Sequence, residues 1–357
     1  MYPALAVARA LRDARPGLEL AYVGGVRGLE RRIVGEAEPR LAYHQLIVRS
    51  LRSGGRDVHL VLDPLRLGLS APQAWALLGR LRPDVVFTTG GYLGIPLVLA
   101  ARARRIPSLV WEGNVIPGRA TRAVGRLATR VAVSFPPTLT AFPGNAFVSG
   151  TPIRSFAGIS RESARAAFGV GSDDRLLLAF GGSQAVARLT AAVLQALPGL
   201  LVDWQVLHLV GEAGMGEAAR ARDALPESVR ERYRPVAFLT DAMADALVAA
   251  DLVLGRAGSS TCAEIAAIGV ASILVPYPYA GAHQRANAAW LAEQGAAVLV
   301  PDAELDAARL LSEASALRDA ARRAEMADAA RRLGRPGAAR LIADELLTLA
   351  ATRGAAA

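Results

Sequence analysis

Residues 251–267, DLVLGRAGSSTCAEIAA, run from a wholly apolar strand through a loop of small residues into a helix. A continuous apolar run of this kind marks a parallel strand covered on both faces. Similar runs recur at 84–89, 108–112, 130–135, 175–181, 204–211, 271–277 and 296–300, with helical patterns between them at 93–105, 184–197, 260–269 and 282–294. Strands alternating with helices predict an α/β protein of doubly wound parallel sheets. A stretch rich in Pro, Gly and Ser over 136–160 interrupts the alternation, and RLLLAFGGSQ (175–184) restarts it. The expected organisation is an N-terminal domain over 1–155, a second over 156–335, and a helical tail over 336–357 that packs back on the first.

Two further strand-to-helix loops share the glycine-rich character of the first: TTGGYLGIP (88–96) and FGGSQAVARL (180–189). Glycine allows close backbone approach, and the N–H groups of a helix start favour an anion. One such turn is most often a tight connection. Three of them, spread over two domains, point to a phosphorylated ligand. Neither G-x-x-x-x-G-K-[ST] nor an opening G-x-G-x-x-G is present. In the 251–267 loop, Ser260 and Thr261 can donate to a diphosphate, and Glu264 a turn later can accept from the two hydroxyls of a ribose. A second reading of the same residues has Ser259 or Ser260 capping the helix and Glu264 completing a capping box. No His/Cys/Asp/Glu spacing suited to a metal stands out, so no metal and no cofactor are expected.

All 41 basic residues are Arg, and the formal net charge is +9. The charge is uneven: residues 1–155 carry 21 Arg against 9 acids, and the remainder 20 Arg against 23 acids. A basic half suits phosphate groups or an anionic membrane surface. Without interleaved aromatics it does not read as nucleic-acid binding. The single cysteine, Cys262, fits a reducing compartment. No run is apolar and long enough for a transmembrane helix, and no signal peptide is expected ahead of the first helix.

The motifs GGYLGIPLVLAA, WEGNVIPGRAT, SGTPIR, FGGSQ, GRAGSSTCAEIAA and HQRANA, in this order and spacing, resemble those of the MurG family of peptidoglycan N-acetylglucosaminyltransferases. The resemblance covers nearly the whole chain. It implies the GT-B fold, two Rossmann-like domains facing across a cleft, and inverting transfer without a metal. The donor implied is UDP-N-acetylglucosamine and the acceptor undecaprenyl-diphospho-muramoyl-pentapeptide, at the cytoplasmic face of the cell membrane. Residue by residue, it implies donor-side roles for Asn114 and Arg154 and a diphosphate contact from Ser183. Leu239 would meet uracil through its backbone, Ser260 and Thr261 phosphate, Glu264 the ribose, and Gln284 the sugar, with His283 beside it. Apolar residues in 65–81 would meet the membrane interface, or else form a plain core helix.

The chain departs from the family pattern at Ala185, at WEGN (111–114) and at TPIR (151–154). It also opens on a helix, YPALAVA, which the family precedes with a strand and a glycine loop ending in a catalytic His. The expectation is therefore that the native chain starts upstream of Met1, a GTG valine codon having been read as the initiator. The competing functions are another UDP-sugar GT-B enzyme, such as a glycolipid synthase or a sugar epimerase, and a UDP-sugar-binding remnant without turnover.

Overall fold

The computed structural model describes residues 1–25, 28–39, 41–47, 59–181, 187–240, 242–278 and 283–354, with the backbone alone at 28, 29, 59–67 and 354. The chain forms two compact units, Met1–Ile153 with Pro336–Ala357, and Arg154–Arg335. The first contains α1 (Tyr2–Ala14), β1 (Ala21–Gly24), α2 (Gly28–Ala37), β2 (Ala42–Gln45), α3 (His59–Leu81), β3 (Val86–Thr88), α4 (Gly91–Ala103), β4 (Ser108–Glu112), α5 (Arg119–Gly125), β5 (Arg130–Val133) and β6 (Ala146–Val148). The second contains α6 (Arg161–Ala167), β7 (Leu176–Phe180), α7 (Ala187–Asp203), β8 (Gln205–Leu209), α8 (Gly211–Asp223), α9 (Glu227–Arg230), β9 (Tyr233–Val236), α10 (Met243–Ala249), β10 (Leu252–Gly255), α11 (Ser259–Ile268), β11 (Ala271–Leu274), α12 (His283–Glu293), β12 (Val298–Leu299), α13 (Ala307–Ala316) and α14 (Ala320–Leu333). The chain then returns to the first unit as α15 (Ala338–Gly354).

In the second unit one parallel sheet runs β12-β11-β10-β7-β8-β9. Its central strands are buried on both faces, as their unbroken apolar sequences require. Asp251 ties the centre together: Oδ2 accepts from Leu176 N (2.8 Å) and from Arg165 (2.9 Å), and Oδ1 from Arg161 (2.6 Å). The outer strand β9 has the sequence YRPV, which carries no strand signal because Pro235 lacks an N–H. Pro235 is tolerated at a sheet edge, where half the donors need no partner. Where α11 ends, Gly269 adopts φ +69°, and Arg331 packs so closely that a Cβ there would lie 2.1 Å from its Cγ.

The first unit holds two separate parallel sheets, β3-β4-β5-β6 and β1-β2. The strand β6 lies inside the 136–160 stretch that composition marks as a break. One face of the larger sheet is covered by α4 and α5 through Val98, Val110, Val124, Val131 and Phe142. The other face is covered by α1 and α15, with Val7, Leu109, Trp111, Ile342 and Leu346 in one buried cluster. Arg353 of α15 also donates to the Pro83 carbonyl. In α4, Gly90 precedes the helix at φ +74°, with Thr121 Oγ1 2.4 Å from where a Cβ would stand, so this glycine is fixed by packing. Between β1 and β3 lies a cavity of about 1810 Å³, lined by the apolar stripe of α1, by β1 and β3, and by Leu346.

The helix α3 divides along its length: Ser70, Ala74, Leu77 and Leu78 are buried, while Leu69 and Trp75 are exposed. Residues 68–81 thus serve both as core and as surface. No helix among the described residues is long and apolar enough to cross a membrane.

Deep in the second unit, His208 Nδ1 lies 3.1 Å from the Tyr233 hydroxyl, and Nε2 meets no hydrogen-bond partner. Burial pulls the His208 pKa down to about 4. Above the unfolded value of 6.5 both states are neutral and stability is complete. As pH falls from there towards 4, the unfolded chain takes up a proton the folded one refuses, and on the order of 3 kcal/mol is lost. Urea unfolding at pH 7 and pH 4.5 should show this slope in the native protein and a flatter one in His208→Gln; an unchanged slope would put the proton elsewhere.

Candidate functional site

The polar features of the second unit converge at the start of α11. The strand β10 is buried throughout, and Arg256 and Ala257 stay buried as the chain leaves it. Gly258, extended at φ −66° and ψ 151°, is the N-cap, and no side chain caps the helix. The reading in which Ser259 or Ser260 caps and Glu264 closes a capping box is therefore corrected. The helix already begins at Ser259, which carries Glu264 into its second turn, beyond reach of the cap. Ser259, Ser260 and Thr261 stand in the first turn, half-buried, where backbone N–H groups and the positive end of the helix dipole face outward.

Glu264 is almost fully buried, and its Oε1 accepts from Arg154 Nε at 2.8 Å. Burial raises its pKa, and the Arg154 guanidinium opposes the rise. Arg154 also reaches the Thr240 carbonyl at 3.4 Å, next to half-buried Leu239 in the loop after β9. Three segments remote in sequence, 154, 239–240 and 264, thus meet at one edge of the sheet. Behind them Arg256 pairs with Asp302 at 2.5 Å and donates to the Val275 carbonyl at 3.2 Å, and Arg188 approaches Asp302 at 3.4 Å. Asn287, wholly buried, donates to the Ala257 carbonyl at 3.2 Å and so fixes the turn from β10 into α11. Gln284 sits half-buried in the first turn of α12, its Oε1 accepting from Tyr277 N at 2.9 Å, with His283 beside it at the helix start. Ser183 lies outside the described residues.

In the first unit, Asn114 follows β4. Its backbone N and its Nδ2 both donate to Glu112 Oε1 (2.9 and 3.0 Å), while Gly118 N donates to Oε2 (3.0 Å). Buried Glu112 therefore shapes the loop that presents Asn114. No group of three or more potential metal ligands occurs among the described residues.

Residues 1–133 match the glycosyltransferase family 28 N-terminal domain, and residues 176–342 match its C-terminal domain. A protein of Salinibacter ruber is 39% identical over 355 residues, 98% of this chain and 94% of its own length. One of Moorella thermoacetica is 38% identical over 360 residues, 97% and 95% of the two chains. Both are named UDP-N-acetylglucosamine–N-acetylmuramyl-(pentapeptide) pyrophosphoryl-undecaprenol N-acetylglucosamine transferase. The chain belongs to glycosyltransferase family 28. Its fold is that of the crystal structure of Acinetobacter baumannii MurG, with a TM-score of 0.77, 27% identity and coverage of 97% and 95%. A UDP-GlcNAc 2-epimerase from Neisseria meningitidis shares the fold alone, with a TM-score of 0.68 at 12% identity over 97% and 96% of the chains.

Within this family 28 chain, sequence reasoning missed Asp302, Asn287 and Glu112. Each acts on another residue's position, and neither spacing nor helix periodicity links it to its partner. Arg256 is buried and Asp302 largely so, and Arg256→Met leaves the carboxylate only the exposed Arg188, 3.4 Å away. This should cost about 3 kcal/mol, the lower end for breaking a buried ion pair. The double variant Arg256→Met, Asp302→Leu should recover much of that loss in thermal unfolding; equal losses in both variants would deny the coupling.

Proposed function

We propose that the protein transfers N-acetylglucosamine from UDP-N-acetylglucosamine to undecaprenyl-diphospho-muramoyl-pentapeptide, with inversion at the anomeric carbon. The observation that carries the reading is the meeting of the uncapped α11 start, Glu264 and the 239–240 loop, in a chain 39% identical to a transferase named for this reaction. In this reading Ser260, Thr261 and the first-turn N–H groups bind the diphosphate. They also stabilise the negative charge that grows on it as the sugar departs. Leu239 offers its backbone to uracil, and Glu264 accepts from the ribose hydroxyls. Ser183, Gln284 and His283 serve the diphosphate and the sugar, and Asn114 and Arg154 the donor from their own loops.

The test is UDP release with the lipid-linked muramoyl-pentapeptide as acceptor, run beside calorimetric titration of UDP. Release dependent on the acceptor supports the reading. UDP binding without release reduces it to a sugar-nucleotide-binding protein, and absence of UDP binding removes it. Glu264→Gln should weaken UDP binding by roughly 10–100-fold, the worth of a hydrogen bond to a charged group. It should also abolish the preference for UDP over 2′-deoxy-UDP. A variant that binds weakly yet keeps that preference would assign Glu264 a structural role only.

The acceptor's lipid calls for a membrane surface. Exposed Leu69, Trp75 and Leu99 on α3 and α4, with Arg102 and Arg105 exposed nearby in sequence, suit a peripheral contact with anionic lipid. Arg104 stacks over the Trp75 ring at 4.0 Å. Nucleic acid is not among the partners of this reading. Binding to anionic vesicles should weaken several-fold as salt rises from 0.05 to about 0.3 M. Trp75→Ser should weaken it further, and equal binding to neutral vesicles would refute an electrostatic contribution.

A further inference from the structure

We infer that Arg188 is a further donor-binding residue, a role that rests on the reading proposed above: its guanidinium meets the diphosphate of the bound UDP moiety and stabilises it as it leaves. The sheet of the second unit shows where such a group is needed. From β7 the chain proceeds to β8 and β9 on one side, and from β10 to β11 and β12 on the other. Strand order therefore reverses between β7 and β10, and ligands of open parallel sheets bind outside the carboxyl ends at such a reversal. The two strands end level, Phe180 beside Gly255. Crossovers of one hand running in opposite directions carry the next helices to opposite faces. Accordingly α7 packs against α8 and α13, and α11 against α10, α12 and α14. The uncapped start of α11 stands on one side of this crevice, and Arg188, in the first turn of α7, on the other.

Asp302 joins the two connections. One oxygen takes Arg256, two residues ahead of the α11 N-cap, at 2.5 Å, and the other approaches Arg188 Nε at 3.4 Å. Two guanidinium groups thus share one carboxylate, and the cluster keeps a net positive charge. Arg256 cannot present that charge, being buried and also bound to the Val275 carbonyl. Arg188 can. Its side chain is 53% exposed, and among the described residues none accepts a hydrogen bond from it. The acids that follow Asp302 in the chain, Glu304, Asp306 and Glu313, are engaged by Arg309. A guanidinium left over in this way matches phosphate oxygens in both charge and shape. During transfer the acceptor hydroxyl gives its proton to a base while its oxygen bonds to the anomeric carbon. The bond from that carbon to the β-phosphate oxygen breaks with its electron pair, so UDP leaves with one more negative charge. A full cation at the crevice gains most at that moment.

The test is calorimetric titration of UDP and of uridine into the native protein, Arg188→Gln and Arg188→Lys, with transfer kinetics on all three. Arg188→Gln should bind UDP roughly 10–100-fold more weakly, the worth of a charge-assisted hydrogen bond, and uridine as before. Its kcat should fall by more than its KM rises. Arg188→Lys should recover much of the UDP affinity, since it keeps the charge. Unchanged UDP binding and kcat in Arg188→Gln overturn the inference. Uridine weakened as much as UDP makes Arg188 a support of the fold, and also overturns it. A native protein that binds no UDP removes the donor reading and this role together, whereas normal native binding with an unaffected variant removes this role alone.

Discussion

A backbone amide inside a sheet that is covered on both faces must find its partner in the next strand, because no water reaches it. That constraint governs both units. In the second, the order β12-β11-β10-β7-β8-β9 satisfies it across the sheet, and Asp251 locks the amino ends of β7 and β10 to each other. With the strands held in parallel, every connecting helix begins at the carboxyl edge. The helix start of α11, the 239–240 loop and the start of α12 therefore lie at that one edge, although they come from three separate βα connections. In the first unit the same constraint is met within β3-β4-β5-β6 and within β1-β2, and two inner edges face a cavity.

The central strands were legible because burial on both faces leaves a one-dimensional trace, an apolar run such as LLLAF or LVLG. Strands at the edges leave no such trace. YRPV of β9 contains a residue that cannot donate, AFV of β6 is three residues long in a Pro- and Gly-rich stretch, and AYHQ of β2 is half exposed. Their pairing is decided by a neighbour already in place, which local sequence does not carry. The helix ends shifted by one or two residues at α4, α11 and α12, and by six at the end of α7, for a similar reason. At α11 the extended Gly258 let the helix begin earlier than a serine cap would have allowed.

In the site, the residues that act through their own helix start were the readable ones. Ser260, Thr261 and Glu264 follow one another at helical spacing, and Gln284 falls in the first turn of the next helix. What the sequence could not show was who holds them. Asn287 fixes the β10–α11 turn from thirty residues away, and Glu112 organises Asn114 and Gly118 from inside the core. These supports are ordinary polar residues until the fold brings them to their partners.

The pairing of Arg154 with Glu264 shows how far such support reaches. The two residues are separated by 110 positions, and the carboxylate is buried while the guanidinium keeps much of its contact with solvent. Burial alone drives a carboxyl towards its neutral form, which accepts hydrogen bonds less well than the charged one. A cation that remains partly hydrated counters this at little desolvation cost of its own. It also occupies Oε1 and leaves Oε2 for other donors. The acceptor strength of Glu264 is thus set from another segment of the chain, and a ribose bound there would depend on Arg154 without having to touch it.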